Sequence, residues 1–384
     1  MSERKIRVAV VFGGRGPEHA VSCMGGGNML AAIDREKYDV VPIGITRDGS
    51  WVHVADDPGR LVITDGELPS VESIAEPGAA VVPWASRGGA QVVASAPGQI
   101  PHVLGEVDVV LPVLHGPYGE DGTIQGLLEM AGVPYVGAGV LSSAVSMDKE
   151  YMKIIFTARG LPVGPYVVLR ERDWPDDGQA GQAAAGPERR RVLDAIAELG
   201  WPLFVKPARG GSSIGTSKAS DQAQLTEAIA IARQFDPKVL VEAAIEGREI
   251  EVSVLEGRNG GRPDTSLPGQ LRIDGGEEFY DFEAKYLDTD GTKMIIPAPI
   301  PRQDIEQIRR LAAAAFEAVS CAGLARVDFF YTPAGQILVN EINTIPGLSP
   351  MSYFQKMWEA TGLAFPDLID RLLQTALNKR RTPG

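Results

Sequence analysis

The chain has 384 residues, 44% of which are hydrophobic, and its 50 acidic residues outnumber 37 basic ones to give a net charge of −13. This length and composition predict two or three globular domains and exclude a disordered chain. The negative charge argues against non-specific binding to nucleic acid or to anionic membranes.

The chain has the features of a cytoplasmic protein. The apolar run near the N-terminus is too short for a signal peptide, and no later segment resembles a membrane span. The two cysteines, Cys23 and Cys321, belong to no zinc-binding pattern, so we expect reduced thiols rather than a structural metal.

The N-terminal stretch predicts a strand over residues 6–12, a glycine turn and the start of a helix. This order is typical of the opening of a doubly wound α/β domain. The dinucleotide fingerprint G-x-G-x-x-G fails, because His19 stands at its third glycine position counted from Gly14. Glu18 lies near the helix start, where it either complements the helix dipole or receives an ammonium group.

Further strands are predicted at residues 38–45, 108–114 and 133–136. The stretch from 55 to 101 has weak periodicity and indicates no function. The strand at 108–114 ends at a glycine-rich loop that begins with His115, and open α/β sheets bind ligands at such strand ends. His115 is therefore either a ligand contact or a histidine that packs within the loop.

Two lysines lie at the ends of predicted elements. Lys206 ends a predicted strand and is followed by the glycine- and serine-rich loop 208–215, whose backbone N–H groups can approach an anion closely. A phosphate loop is favoured over a generic glycine turn, although the P-loop pattern is absent. Lys149 begins a helix, where its charge opposes the dipole, so it is either solvated or has another role.

Residues 171–191 resemble an insertion.

The C-terminal half contains predicted strands at 238–243 and 250–255 and two amphipathic core helices at 302–320 and 365–378. Residues 277–290 form a long polar stretch with aromatic side chains. Loops of this length in compact domains are often functional lids.

A hairpin is predicted from Arg326 to Pro346, around a turn at residues 332–335. If Tyr331 pairs with Gln336, Arg326 lies opposite Glu341. Because side chains alternate along a strand, one face then carries four polar residues: Arg326, Asp328, Glu341 and Asn343. Two carboxylates and an amide oxygen suit Mg²⁺, and the alternative is a solvated polar face.

Taken together in their order and spacing, these motifs resemble the D-alanine–D-alanine ligases of the ATP-grasp superfamily. The resemblance covers nearly the whole chain. It rests on the following segments: 13–19, HGPYGEDGTIQG at 115–126, MDK at 147–149, VKPARGGSSIG at 205–215, Glu242, Glu249, YDFEAKY at 280–286, RVD at 326–328 and NEINTIPG at 340–347.

The resemblance implies an α/β fold of three domains, at residues 1–140, 141–245 and 246–384, with ATP held between the second and third. It implies that ATP meets Lys149, Lys206, Ser213, Glu242, Glu249 and Lys285. It implies two Mg²⁺ ions, or Mn²⁺ as an alternative, on Asp328, Glu341 and Asn343. The residues that it places around two D-alanine molecules are Glu18, Ser212, Tyr286, Arg326 and Ser352.

The implied reaction forms an acyl phosphate from one D-alanine and ATP, and the amine of a second D-alanine then displaces phosphate. The product, D-alanyl-D-alanine, is a peptidoglycan precursor, and a homodimer is the expectation for the family. The alternatives are a D-alanine–D-lactate ligase, another ATP-grasp ligase and a nucleotide-binding regulator without turnover. Tyr286 favours dipeptide synthesis, and the complete metal and arginine set argues against a regulator.

Overall fold

The computed structural model of the chain describes residues 4–86, 89–95, 102–171, 187–273 and 292–379. Three sheets follow one another along the sequence, and each gathers strands that are close in the chain. Among the described residues, no helix combines the length and the apolar character needed to cross a membrane.

The first sheet is a short parallel core extended by antiparallel strands. Its order is β6-β5-β4-β3-β2-β1-β7, and β1 is parallel to both β2 and β7. The elements of this part are β1 (Ile6–Gly13), α1 (His19–Ala32), β2 (Tyr38–Ile45), β3 (Trp51–Val54), β4 (Ala75–Ser86), β5 (Gly89–Ser95), β6 (His102–Val107), β7 (Val109–Val113) and α2 (Thr123–Met130).

The second sheet has the order β10-β9-β11-β8, with antiparallel neighbours throughout. Two helices lead into it from the first sheet. The elements are α3 (Val140–Met147), α4 (Lys149–Ala158), β8 (Tyr166–Leu169), α5 (Pro187–Leu199), β9 (Leu203–Pro207), β10 (Ser217–Ala219), α6 (Gln222–Arg233) and β11 (Val239–Ala243).

The third sheet has the order β15-β14-β12-β16-β17, and β13 pairs with β12. Its hydrophobic core is closed by α7. The elements are β12 (Arg248–Leu255), β13 (Asp264–Thr265), β14 (Gly269–Ile273), β15 (Thr292–Ile295), α7 (Arg302–Ala318), β16 (Leu324–Tyr331), β17 (Ile337–Asn343), α8 (Tyr353–Thr361) and α9 (Phe365–Lys379).

The last helix packs on the first sheet. Leu368 and Leu372 of α9 belong to the same buried cluster as Val8 and Phe12 of β1. Polar contacts reinforce this packing, since the hydroxyl of Tyr38 donates to Asp370 Oδ1 at 2.9 Å. The amphipathic pattern that predicts this helix is thus satisfied by a core formed at the other end of the chain.

The predicted strand at 133–136 is wrong. This segment makes one isolated bridge, between Tyr135 and Val110 of β7. The backbone then turns away at Gly137, which has a φ of +111°. The Val110 N–H donates to Pro134 O at 2.8 Å and the Val136 N–H donates to Val110 O at 2.9 Å, so the segment pairs with the edge strand at this one point and is not a strand.

Candidate active site

A cleft of about 820 Å³ is lined by residues of the second and third sheets and by the loops that follow β1 and β7 of the first sheet. Every predicted site residue within the described part of the chain lies on this cleft. They are Glu18, Lys149, Lys206, Ser212, Ser213, Glu242, Glu249, Arg326, Asp328, Glu341, Asn343 and Ser352. Lys285, Tyr286 and the predicted lid at 277–290 lie outside the described residues.

One wall of the cleft is the polar face of the hairpin. β16 and β17 pair Asp328 with Glu341 and Arg326 with Asn343, and β12 places Glu251 opposite Asp328. Cross-strand partners project from the same face of a sheet. The predicted grouping of these four hairpin side chains is therefore present, and Glu251 extends it.

The predicted register of this hairpin is wrong. Tyr331 pairs with Ile337, and the pairing shifts between Phe329 and Asp328, so that Asn340 is an extra residue in a β-bulge. The bulge turns Val339 toward the buried core while Glu341 faces the cleft. The prediction assumed that side chains alternate without interruption along both strands, and the extra residue Asn340 breaks this alternation.

Arg326 is held rigidly within this face. Its Nε and Nη2 donate to the two oxygens of Asp328, each at 2.7 Å, and Nε lies 3.5 Å from Glu251 Oε2. Burial would lower the pKa of Arg326, but the Asp328 and Glu251 carboxylates raise it well above the ordinary value. The guanidinium is thus a fixed cation with a bidentate partner.

The donor set of this face fits a hard cation. Asp328 and Glu341 offer carboxylate oxygens and Asn343 offers an amide oxygen, while the Asn343 Nδ2 donates to Asp328 Oδ2 at 3.0 Å. No group of three His, Cys, Asp or Glu side chains in the described part of the chain could hold a metal by itself. Three oxygen ligands match Mg²⁺, which commonly completes its coordination with water and phosphate oxygens.

Lys149 stands between the polar face of the hairpin and the glycine loop. Asp148 caps α4 by accepting from the backbone N–H groups of Glu150 and Tyr151 at 3.2 and 3.3 Å. The Lys149 Nζ donates to Gly210 O at 2.8 Å and lies 3.4 Å from Glu341 Oε2. The lysine that opposes the helix dipole is therefore held by partners on both sides of the cleft.

Lys206 and Glu242 form a buried ion pair on neighbouring strands. β9 and β11 are antiparallel, and the Lys206 Nζ contacts Glu242 Oε2. Lys153 of α4 contacts the other carboxylate oxygen at 3.0 Å. Burial would raise the pKa of Glu242, but the two lysines lower it below its ordinary value, so the carboxylate is ionised.

The glycine loop reaches across to the first sheet. Ser212 donates from its Oγ to Glu18 Oε1, and its φ of +48° places it in the left-handed region. A Cβ at Gly211 would lie 3.2 Å from Glu18 Oε2, so the backbone of the glycine loop approaches this carboxylate closely. The Glu18–Ser212 bond therefore connects the first and second sheets at the cleft.

A second connection joins the first sheet to the third. Glu120 accepts from the backbone N–H groups of Gly116 and Ile345, both at 2.9 Å. Burial, followed by the charge of Glu18, raises the pKa of Glu120 to about 7. His115 donates from Nδ1 to Ile345 O at 2.9 Å, and burial lowers its pKa. His115 thus packs in the loop and also lines the cleft.

Ser352 is fixed at the start of α8. Its Oγ accepts from the backbone N–H of Ser349 and lies 3.0 Å from the hydroxyl of Ser349. A Cβ at Gly347 would approach the Ser352 Oγ to 2.8 Å, so a side chain there would displace this hydroxyl. The two serines line the same cleft as the polar face of the hairpin.

The cleft also contains residues that the sequence prediction does not name, among them the charged residues Glu120, Lys153 and Glu251. Each carried a local signal. Glu251 follows Glu249 by two residues, which places both on one face of a strand, and Lys153 follows Lys149 by four residues on one helix face. Glu120 lies between two glycines in the loop that begins at His115.

Comparisons with known proteins agree along the whole chain. A model described as the D-ala D-ala ligase N-terminus matches residues 7–138, and one described as the D-ala D-ala ligase C-terminus matches residues 155–374. The chain is 55% identical over 383 residues to the D-alanine–D-alanine ligase of Streptomyces avermitilis. The aligned region covers 99% of this chain and 96% of that relative.

Solved structures of similar fold confirm the predicted fold class. The D-alanine–D-alanine ligase from Coxiella burnetii has a TM-score of 0.77 and 33% identity, over 98% of this chain and 95% of its own. The VanG D-Ala:D-Ser ligase from Enterococcus faecalis has a TM-score of 0.78 and 32% identity, over 97% of this chain and 100% of its own. The chain therefore belongs to the D-alanine–D-alanine ligase family, as its motifs predict.

Proposed function

We propose that this chain uses ATP to join two D-alanine molecules into D-alanyl-D-alanine, with release of ADP and phosphate, for peptidoglycan synthesis and hence for the cell wall and cell shape. The observation that carries this proposal is the convergence of three groups on one cleft. These are the Glu18–Ser212 pair, the lysines at positions 149 and 206, and the face that holds Asp328 and Glu341.

The first D-alanine is proposed to bind through its ammonium group at Glu18, with Ser212 as the partner that orients this carboxylate. Tyr286 is proposed to complete the same subsite. The carboxylate of this D-alanine attacks the γ-phosphate of ATP, the bond to the β-phosphate oxygen breaks, and an acyl phosphate and ADP result. The geometry supports this assignment, because the Ser212 hydroxyl already donates to Glu18.

ATP is proposed to lie along the second sheet. Glu242 meets the adenine, Glu249 meets the ribose, and the cations Lys149, Lys206 and Lys285 bind the phosphates, beside Ser213 of the glycine loop. Fixed positive charges aimed at the transferring group lower the barrier because they require no reorganisation during the reaction. The contact of Lys149 with Gly210 supports this placement.

The residues that would hold two Mg²⁺ ions, with Mn²⁺ as an alternative, are Asp328, Glu341 and Asn343. Divalent cations would supply charge stabilisation to the phosphates of the nucleotide. The oxygen-only donor set of the three residues supports this assignment, because hard cations prefer carboxylate and amide oxygens.

In the second step, the amine of another D-alanine attacks the carbonyl carbon of the acyl phosphate. The amine loses a proton, the C–O bond to phosphate breaks, and an amide forms. Arg326 is proposed to stabilise the tetrahedral oxyanion, and its bidentate bond to Asp328 keeps it in one position. Ser352 is proposed to hold the carboxylate of the second D-alanine.

We further propose the domain boundaries 1–140, 141–245 and 246–384, a homodimer and a cytoplasmic location. The three sheets, which end near residues 113, 243 and 343, support this division. Light scattering after gel filtration would measure the oligomeric state, and a monomer at assay concentration would overturn the dimer.

The test is phosphate release from Mg·ATP, with products identified by mass. The reactions contain D-alanine alone, D-alanine with D-lactate or D-serine between about pH 6 and pH 9, and L-alanine. We expect D-alanyl-D-alanine as the main product and no product from L-alanine. A depsipeptide or a D-alanyl-D-serine product at neutral pH would move the function to a ligase with a different second substrate.

A further inference from the structure

Lys153 is a buried lysine with no role in the proposed reaction. It lies one helical turn after Lys149 on α4, and its side chain is 3% exposed. Its Nζ lies 3.0 Å from Glu242 Oε1 and 5.6 Å from the centre of the Tyr166 ring. An ammonium group buried to this degree is costly, so a specific partner must compensate it.

The Glu242 carboxylate is shared by two ammonium groups, because Lys206 contacts its second oxygen. Glu341 also acts on both lysines and itself lies 3.4 Å from Lys149. Three lysines thus face two carboxylates in this part of the cleft. A purely structural ion pair would need only one lysine for Glu242, and the additional cation requires another explanation.

The two lysines differ in their surroundings. Burial lowers the pKa of Lys153, although Glu242 opposes this effect. Burial acts in the same direction on Lys206, but Glu242 and then Glu341 outweigh it, so the pKa of Lys206 is raised. Lys206 is therefore the more firmly charged of the two, and it lies on the strand that leads into the glycine loop.

We propose that Lys153 is a positioning residue, which keeps the Glu242 carboxylate paired while Lys206 contacts a nucleotide phosphate. This inference rests on the proposed function, in which Lys206 binds phosphate and Glu242 meets the adenine. Without Lys153, Lys206 would be the sole cation that pairs with Glu242 within the described part of the chain. Each contact of Lys206 with phosphate would then leave a buried carboxylate uncompensated.

The proposal predicts a selective effect on the phosphate part of the nucleotide. Lys153→Met should weaken binding of a non-hydrolysable ATP analogue on the order of tenfold, the usual range for coupling between groups. Binding of adenosine should change by less than about twofold, because adenosine offers no phosphate to Lys206. Competition against a fluorescent ATP analogue would measure both affinities in the full-length protein.

Two matched variants separate this role from a structural one. Lys153→Arg keeps the charge and should bind the ATP analogue within about threefold of the unaltered protein. Glu242→Gln removes the carboxylate that Lys153 compensates. Adding Lys153→Met to Glu242→Gln should therefore cause less than about a threefold further loss, and this pair remains informative if Lys153→Met alone does not fold.

Three outcomes would overturn the inference. Equal losses for adenosine and the ATP analogue would show that Lys153 supports the adenine side or the fold. No loss in Lys153→Met would show that Lys206 needs no second cation on Glu242. A tenfold loss in the Glu242→Gln background would indicate a direct contact of Lys153 with phosphate. Dipeptide synthesis is assayed in parallel, so a failure of the proposed ligase function is seen separately in the unaltered protein.

Discussion

At the scale of single residues, Glu120 makes stability depend on pH. Burial and the charge of Glu18 raise its pKa from the ordinary 4.5 to about 7. Between these values the folded protein holds a proton that the unfolded chain has released. The stabilisation from this group is therefore complete below pH 4.5 and is lost as the pH rises through 7.

Between about pH 5 and pH 8, the free energy of unfolding should fall more in the unaltered protein than in Glu120→Gln, by on the order of 3 kcal/mol. Urea unfolding at both pH values measures this difference. Glu120→Gln is less stable throughout, since its amide cannot accept from both backbone N–H groups. Glu36→Gln, at an exposed position, should keep the slope of the unaltered protein. Equal slopes in the unaltered protein and Glu120→Gln would contradict the prediction.

At the scale of elements, the loop after β7 depends on close contact between backbone segments. A Cβ at Gly119 would lie 2.5 Å from Leu114 O, and this oxygen belongs to backbone that cannot move away cheaply. The same loop carries His115 and Glu120. A substitution at this glycine therefore displaces the groups that connect the first sheet to the third.

Gly119→Ala should lower the free energy of unfolding by about 2–3 kcal/mol and raise the KM for D-alanine. The control is Gly132→Ala, where φ is +64° but no atom lies within 4 Å of an added Cβ. It should cost about 1 kcal/mol from backbone strain alone and leave the KM unchanged. A rise of KM in both variants would argue against a specific effect of the loop.

The start of α4 depends on a partly buried charge cluster. Lys238 Nζ donates to both oxygens of Asp148 at 2.7 and 2.6 Å and to Glu150 Oε2 at 2.8 Å. Asp148 is the cap of the helix that begins at Lys149. Lys238 therefore fixes the position of a proposed phosphate ligand through the helix that carries it.

Lys238→Met should destabilise the fold by about 2 kcal/mol, because Asp148 loses its ion-pair partner and Glu150 keeps only Arg170, and should raise the KM for ATP. Urea unfolding and initial rates measure the two effects. The matched control is Arg302→Met, whose side chain is 93% exposed and pairs with the half-exposed Glu306, and it should change stability by less than about 0.5 kcal/mol. If both variants lost similar stability, the burial of the Lys238 cluster would not explain its contribution.

At the scale of the whole molecule, the cleft joins all three sheets, so a ligand bound there should stabilise them together. Mg·ATP at a hundredfold excess over its Kd should add about 2.7 kcal/mol to the free energy of unfolding. Removing Mg²⁺ with EDTA should reduce this gain, because Asp328 and Glu341 are then left facing the phosphates. Thermal unfolding measures it, and an equal gain with and without metal would count against the metal assignment.

Much of this arrangement could be predicted from the sequence. The strand at 38–45 and the helices beginning at Arg302 and Phe365 follow from apolar periodicity, which burial then satisfies. Motif spacing identified the residues of the cleft even where the predicted hairpin register was wrong. The sequence did not predict the extra residue Asn340, because a β-bulge arises only when two strands pair. Neither strand alone shows a change in its alternation of apolar and polar residues that would reveal it.

The antiparallel strands at 75–107 escaped for a related reason. They extend the first sheet at one side of its parallel strands β2, β1 and β7. Their apolar and polar residues alternate only weakly, so the sequence gives little indication of strands. Glu120 and Lys153 were not predicted as site residues because their partners, Ile345 and Glu242, are distant in the sequence. Local pattern predicts elements well, while the contacts between elements decide which polar residues are buried.

The packing of α9 on the first sheet also has a consequence for biosynthesis. The strands β1 and β7 leave the ribosome within the first 113 residues, but part of their buried cluster is supplied by Phe365 and Leu372. The nascent first sheet must therefore keep an apolar face exposed until almost the whole chain has been translated. Chaperones that bind apolar segments would have their longest opportunity on the part of the protein that is made first.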